Sequence, residues 1–120
     1  MDRFVFDTTT MGASFYLDHP DVSRLVDRAN AGKVALFLPT VAMAEVETRE
    51  QAGVDAWGHL LYGPHVEALN LEQHCALSVG TWPGSLAARQ VAYDARSVSA
   101  IVVTLDARLY DGLDVPLLVL

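Results

Sequence analysis

Two short apolar segments, one near each end of the chain, run almost directly into an aspartate. The first is RFVF (Arg3–Phe6), followed by Asp7, and the second is AIVVT (100–104), followed by Leu105 and Asp106. Short runs rich in β-branched and aromatic residues are typical of buried strands. Parallel strands end at the same edge of a sheet, where the ligands of open α/β sheets usually bind. The pattern therefore predicts an acidic pocket at one sheet edge.

Strand and helix patterns alternate between these two segments. Helical spacing of apolar residues predicts helices over 8–17, from 19–21 to about 29, and over 41–52, 54–62, 71–79 and 85–96, with one more helical turn at 108–112. Thr40 is the expected N-cap of the helix at 41–52. Further strands are predicted at 34–38 and 115–119, and 66–71 is a short strand or an extended link. This alternation predicts an α/β fold, with a central parallel sheet of about four to five strands between helices, in a single domain over 1–120.

Composition narrows the classes of function. The chain has 120 residues, is 52% hydrophobic and carries a formal net charge of −7. Passive binding to nucleic acid relies on Lys and Arg, so this charge instead favours a basic protein partner, or metal ions between acids and a phosphate. No apolar run reaches the ~20 residues that span a bilayer, so we expect no membrane segment. With one cysteine, Cys75, and no signal-peptide pattern, we expect a cytoplasmic protein.

Three acids are candidates for a functional site. Asp7 and Asp106 follow the two strands, and Glu45 lies in the helix at 41–52 at the edge of its apolar stripe. Each aspartate has a plain structural alternative, because aspartate is a preferred helix N-cap. Glu47 and Glu50 should point elsewhere, toward solvent, at ~100° per residue.

The order of these motifs resembles that of PIN domains, whose best-known bacterial members are the VapC-type toxin ribonucleases. The matching pieces are FVFDTTT, LPTVAMAEV and IVVTLDARLY, and the order of helices and strands between them agrees over essentially the whole chain. The resemblance implies a PIN-like α/β/α sandwich whose acids bind Mg²⁺ or Mn²⁺ and hydrolyse RNA, with an antitoxin as a possible protein partner. It places Asp7, Glu45 and Asp106 at three acidic positions, with the Thr104 hydroxyl orienting a carboxylate or a water.

One family position lacks its acid. A further aspartate is expected near the start of the helix before the last long strand, and alignment from Thr104 places Ala88 there. Asp94 is six residues farther on, ~9 Å along the helix and on another face, so it is not expected to replace that acid. We expect weaker metal binding and slow or absent cleavage, with Arg89 as a candidate to relieve repulsion among the three carboxylates.

Two alternatives remain open beside a metal-dependent endoribonuclease. One is a PIN-fold protein that has lost catalysis and binds a protein or RNA, with the apolar segment AWGHLLYG (56–63) as a partner or homodimer surface. The other is a different α/β domain whose aspartates only cap helices. The four histidines have no spacing that predicts a zinc site.

Overall fold

Five parallel strands form one sheet at the centre of the protein. The computed structural model describes residues 1–16 and 18–120. The strands lie in the order β3-β2-β1-β4-β5, and each neighbouring pair is parallel. Their bounds are β1 Arg3–Phe6, β2 Ala35–Pro39, β3 Val66–Leu69, β4 Ile101–Thr104 and β5 Leu117–Val119. The predicted α/β class and the five-stranded parallel sheet are confirmed.

Among the described residues, six α-helices and one 3-10 helix connect the strands. Their bounds are α1 Thr8–Ser14, α2 Pro20–Asn30, α3 Thr40–Glu50, α4 Val54–Leu60, α5 Gln73–Val79 and α6 Leu86–Ser97, with the 3-10 helix at Ala107–Tyr110. The first helix is shorter than the predicted 8–17, because the chain turns at Phe15. Leu17, the last residue of that prediction, lies outside the described residues. Among residues 1–16 and 18–120, no helix has both the length and the apolar character needed to cross a membrane.

The core lies on both faces of the central strand. Phe4, Val5 and Phe6 alternate between the two faces of β1, and all three are buried. Both faces of β1 must therefore be covered, which is the arrangement expected of a parallel sheet between helices. Its neighbours β2 and β4 are apolar in the same way, since parallel strands buried on both sides read as continuous apolar runs.

The start of α3 is capped by a residue distant in sequence. Pro39 occupies the N-cap position and makes no side-chain cap bond, so the prediction that Thr40 caps this helix is wrong. The Gln90 side chain takes that role, accepting a hydrogen bond from the Val41 N–H at 2.9 Å. Its amide nitrogen also donates to the Leu69 carbonyl at 3.0 Å. Fully buried Gln90 thus joins α6 to the start of α3 and the end of β3.

The apolar segment at 56–63 is largely part of the core. Trp57 and Leu60 are buried, and the Trp57 ring packs edge-on against Phe15. Tyr62 is exposed, at 77%. The prediction of an apolar surface here is therefore wrong for Trp57 and Leu60, because α4 turns these two side chains inward.

Candidate active site

Asp7 ends the central strand and caps the first helix. Its Oδ1 accepts hydrogen bonds from the backbone N–H groups of Thr9 and Thr10, at 2.9 and 3.1 Å. The Asp7 N–H donates in turn to the Thr10 hydroxyl, which completes a capping box. The capping role weighed from the sequence is therefore present, and one carboxylate oxygen is fully engaged in it.

The second carboxylate oxygen of Asp7 meets a tyrosine from the other end of the chain. The Tyr110 hydroxyl donates to Asp7 Oδ2 at 2.8 Å, and both side chains are buried. Burial, followed by the negative charge of Asp7, raises the pKa of Tyr110 well above its usual value. Tyr110 is therefore a neutral hydrogen-bond donor to Asp7 over the physiological pH range. The sequence reasoning missed this residue, although it lies four positions after Asp106 in the matched segment.

Asp7 and Glu45 line one cavity of about 210 Å³. Asp7 contributes from the end of β1, and Glu45 contributes from the second turn of α3 as an exposed side chain. The start of α6 supplies another part of the wall, and the remaining lining residues include Ser85, Ala88 and Tyr110. Two acids that are 38 positions apart thus converge on one cavity beside the carboxyl ends of the strands.

Asp106 does not line this cavity. It caps the 3-10 helix by accepting from the Arg108 N–H, and its carboxylate also accepts from the Arg108 guanidinium at 3.0 and 3.3 Å. These hydrogen bonds from the Arg108 side chain lower the pKa of Asp106. Of the three acids predicted to converge, Asp7 and Glu45 line the cavity, whereas Asp106 lies outside its wall and is paired with Arg108.

Thr104 is buried at the end of β4 and holds the turn that follows. Its hydroxyl accepts from the Asp106 N–H at 3.0 Å and donates to the Asp106 carbonyl at 3.2 Å. It also lies 3.4 Å from the hydroxyl of Thr9, which donates to Asp7 Oδ1. Thr104 thus acts on the backbone of Asp106, not on its carboxylate, and links that turn to the Asp7 cap.

Ala88 lines the cavity beside the two acids, at the position where the alignment expected an aspartate. Arg89 does not approach the carboxylates as suggested, because its guanidinium donates to the carbonyls of Val79 and Gly80. Asp94 lines a different cavity, which agrees with its rejection as a replacement acid. The cavity therefore lacks the acid that was expected at position 88, and no other residue of α6 supplies it.

The two neighbouring glutamates of α3 are not simply solvated. Glu47 accepts from the Trp57 indole and from the N–H groups of Ala52 and Gly53, and the indole bond is the main cause that lowers its pKa. Glu50 accepts a hydrogen bond from the Tyr16 hydroxyl. Both point away from the cavity, as predicted, but they are half-buried and hydrogen-bonded, because α4 and the turn after α1 bring donors to them. Glu45 is left as the acid of α3 that faces the cavity.

The donor set at the cavity fits one hard cation. Mg²⁺ is usually held by one or two carboxylates together with waters and substrate phosphate. Asp7 Oδ2 accepts a single hydrogen bond, so it keeps a free lone pair. The Glu45 side chain is exposed and lines the same cavity. A two-ion site needs more acids than this. Across residues 1–16 and 18–120, no three His, Cys, Asp or Glu side chains are grouped to hold a metal by themselves.

Comparison with known proteins identifies the fold. No protein-family model matches the sequence, and no curated protein matches it. Among solved structures, the chain is similar to a chain of VapBC2 from Rickettsia felis bound to a DNA fragment from their promoter. The TM-score is 0.72 at 11% identity, and the match covers 98% of each chain. DNA-bound VapBC from Salmonella typhimurium gives a TM-score of 0.69 at 14% identity, with 98% of each chain covered. The chain has a PIN-like fold.

A third similar structure is PAE2754 from Pyrobaculum aerophilum, with a TM-score of 0.51 and 16% identity over 94% of this chain and 87% of that one. The predicted likeness to VapC-type PIN domains is thus confirmed for the fold, across nearly the whole chain. At this level of identity, function depends on the residues of the cavity itself.

Proposed function

We propose that this chain is a PIN-fold endoribonuclease of the toxin type, and that Asp7 and Glu45 carry its chemistry with one Mg²⁺ or Mn²⁺. The observation that carries the proposal is the convergence of these two acids on one cavity beside the carboxyl ends of the strands. A helix cap alone accounts for Asp7, but it does not account for Glu45.

The surrounding residues suit a phosphodiester substrate. The cap bonds and the Tyr110 hydroxyl fix the Asp7 carboxylate in one orientation, so that little ordering is needed when substrate binds. The start of α6 lies at the cavity, and a helix N-terminus favours an anion such as a backbone phosphate. When bound, the cation would neutralise phosphate charge and lower the pKa of a coordinated water. Glu45, the exposed acid of the pair, would hold the ion together with Asp7.

Slow turnover follows from the same geometry. Ala88 supplies no charge at the cavity wall, and Asp106 is paired with Arg108 outside that wall. Asp7 and Glu45 would hold a single ion, without the second ion that stabilises the leaving oxygen in two-metal nucleases. We therefore expect measurable but weak cleavage.

The experiment is cleavage of labelled single-stranded RNA in Mn²⁺, comparing the wild type with Asp7→Asn, Glu45→Gln and Asp55→Asn. Asparagine also caps helices and Glu45 is exposed, so both site variants should fold. We expect cleavage to fall at least about 100-fold in both, as is typical when a catalytic carboxylate is lost. Exposed Asp55 in α4 is the matched control and should cleave like the wild type. Equal cleavage by all four proteins would contradict the assignment.

A second candidate is a catalytically silent PIN-fold protein that binds a protein partner. It is favoured by Ala88 at the cavity and by the Asp106–Arg108 ion pair. Two of the similar structures are VapBC complexes, which supports an antitoxin-like partner as part of either proposal. Complete absence of RNA cleavage, together with a stable complex with such a partner, would favour this candidate. A homodimer stays a prediction, which sedimentation of the purified chain tests.

A further inference from the structure

A second cavity lies beside the second half of α6. It has a volume of about 220 Å³ and lies among the end of β3, α5 and the second half of α6. Its lining residues include Asn70, Glu72, Cys75, Asp94 and Ser97. It shares no lining residue with the Asp7 cavity, so it is a separate site.

Asp94 lines this cavity as a buried acid without a partner. The residue is 6% exposed, and its Oδ2 has no hydrogen-bond donor within the described part of the chain. A buried carboxylate is normally paired or hydrogen-bonded, because leaving it alone costs free energy. The fold keeps this acid at the cavity although nothing in the described chain satisfies it.

The charges around Asp94 make the cavity negative. Burial, followed by the charge of Glu72, raises the pKa of Asp94 to about 7. Burial also raises the pKa of the Cys75 thiol to about 11, with Asp94 and Glu72 contributing, so that thiol stays neutral. Tyr93 is the remaining titratable side chain in the wall. Leu69 and Asn70, at the end of β3, have no titratable group. An incoming cation would therefore meet Asp94 and Glu72 with no competing positive side chain in the wall.

We propose that this cavity binds a nitrogen cation, a guanidinium or primary ammonium group, which pairs with Asp94 and Glu72. Such groups carry three to five N–H donors, and the wall offers acceptors in the two carboxylates, the Asn70 amide oxygen and the Ser97 hydroxyl. The volume is below the 300 Å³ or so at which drug-sized sites begin, which suits a ligand no larger than an arginine side chain or a short diamine.

A metal ion suits the cavity less well. Cys75, Glu72 and Asp94 all line the wall, but they are not grouped closely enough to ligate one ion. A guanidinium or a diamine needs no such convergence, because its N–H donors are carried by more than one nitrogen.

Calorimetric titration of the full chain tests the proposal, with two nitrogen probes: an arginine blocked at both backbone ends, and 1,4-diaminobutane. The first stands for a side chain of a protein partner and the second for a free amine. We expect one of them to bind, with about tenfold higher affinity at pH 8 than at pH 6, because Asp94 must be ionised. Asp94→Asn should weaken binding at least about tenfold, as is usual when a charged hydrogen-bond partner is lost.

Controls separate the site from general charge. Glu72→Gln should weaken binding less than Asp94→Asn, because Glu72 is exposed, and Asp55→Asn should leave it unchanged. Separate titrations with Mg²⁺ alone and with Zn²⁺ alone test whether a metal ion binds instead. The proposal is overturned if neither nitrogen probe binds at millimolar concentration, if Asp94→Asn binds as the wild type does, or if a metal binds through Asp94 and the nitrogen probes do not.

Discussion

Asp7 and Tyr110 are joined by a hydrogen bond inside the protein. The bond links the end of the first strand to the 3-10 helix, across 103 positions of sequence. Both side chains are buried, at 1% and 4% exposure. A hydrogen bond to a charged group in this setting contributes more than an ordinary one. The pair therefore stabilises the fold while it orients the carboxylate at the cavity.

Replacing Tyr110 with phenylalanine removes one hydroxyl and keeps the ring. We expect Tyr110→Phe to lower the free energy of unfolding by about 1.5–3 kcal/mol, because Asp7 Oδ2 is left without its buried donor. Urea unfolding measures the change. Tyr62→Phe is the matched control, since Tyr62 is 77% exposed and should change stability little. Equal stability of both variants would show that the Tyr110 hydroxyl contributes nothing to Asp7.

Asp94 is expected to give the protein an unusual pH dependence. Its pKa is about 7 in the folded state against an ordinary 3.8. Between these values the folded protein holds more protons than the unfolded chain, so this residue's contribution to stability falls as pH rises. We expect Asp94→Asn to be more stable than the wild type by about 2–4 kcal/mol at pH 8 and by much less near pH 4.

Parallel urea titrations of the wild type and Asp94→Asn over that pH range make the comparison. Acids remote from Asp94 contribute equally in both proteins, so the difference reports Asp94 together with its interaction with Glu72. A stability difference that stays constant between pH 4 and pH 8 would mean that Asp94 is solvated like an ordinary aspartate.

At the scale of elements, α6 connects the two cavities. Ala88 in its first turn lines one cavity, and Asp94 lines the other about 9 Å farther along the axis. Gln90 lies between them and holds the helix to α3 and to β3 through two hydrogen bonds. The position of α6 thus fixes the geometry of both sites.

The first turn of α6 is where an added acid should have most effect. Ala88 is buried beside Asp7 and Glu45, so Ala88→Asp adds a third carboxylate to the cavity. We expect lower stability without metal, because the new charge is desolvated and repelled, and recovery on addition of Mn²⁺. Thermal unfolding with and without Mn²⁺ reports both effects, and RNA cleavage should increase. Ala88→Asn is the uncharged control, and equal Mn²⁺ stabilisation of the two variants would contradict the expectation.

The elements were largely predictable from sequence, and the exceptions have local causes. The strands were readable because parallel strands buried on both faces are continuous apolar runs, as in IVVT and ALFLP. The cap of α3 could not be predicted from the sequence, because the Val41 N–H is bonded by the side chain of Gln90, a buried residue 49 positions away. The direction in which α4 turns Trp57 and Leu60 was likewise set by tertiary packing.

At the scale of the whole molecule, the order of elements brings distant acids to one sheet edge. That convergence was predictable for Asp7 and Glu45, because strand ends and helix starts lie at fixed places in an α/β sheet. The position of Asp106 was not, because its side-chain direction depends on the turn after β4 and on Arg108. Nor did the sequence indicate that Tyr110 reaches Asp7 or that Asp94 lacks a partner. The fold class follows from patterns, whereas the site depends on individual side-chain contacts.

Titration of Mn²⁺ into the purified protein, followed by calorimetry, tests the central claim most directly. We predict one ion bound per chain in the millimolar range, with binding lost in Asp7→Asn and in Glu45→Gln and retained in Asp55→Asn. Failure of the wild type to bind Mn²⁺ at millimolar concentration, or binding that survives both site substitutions, would contradict the assignment of this cavity as a metal-dependent active site.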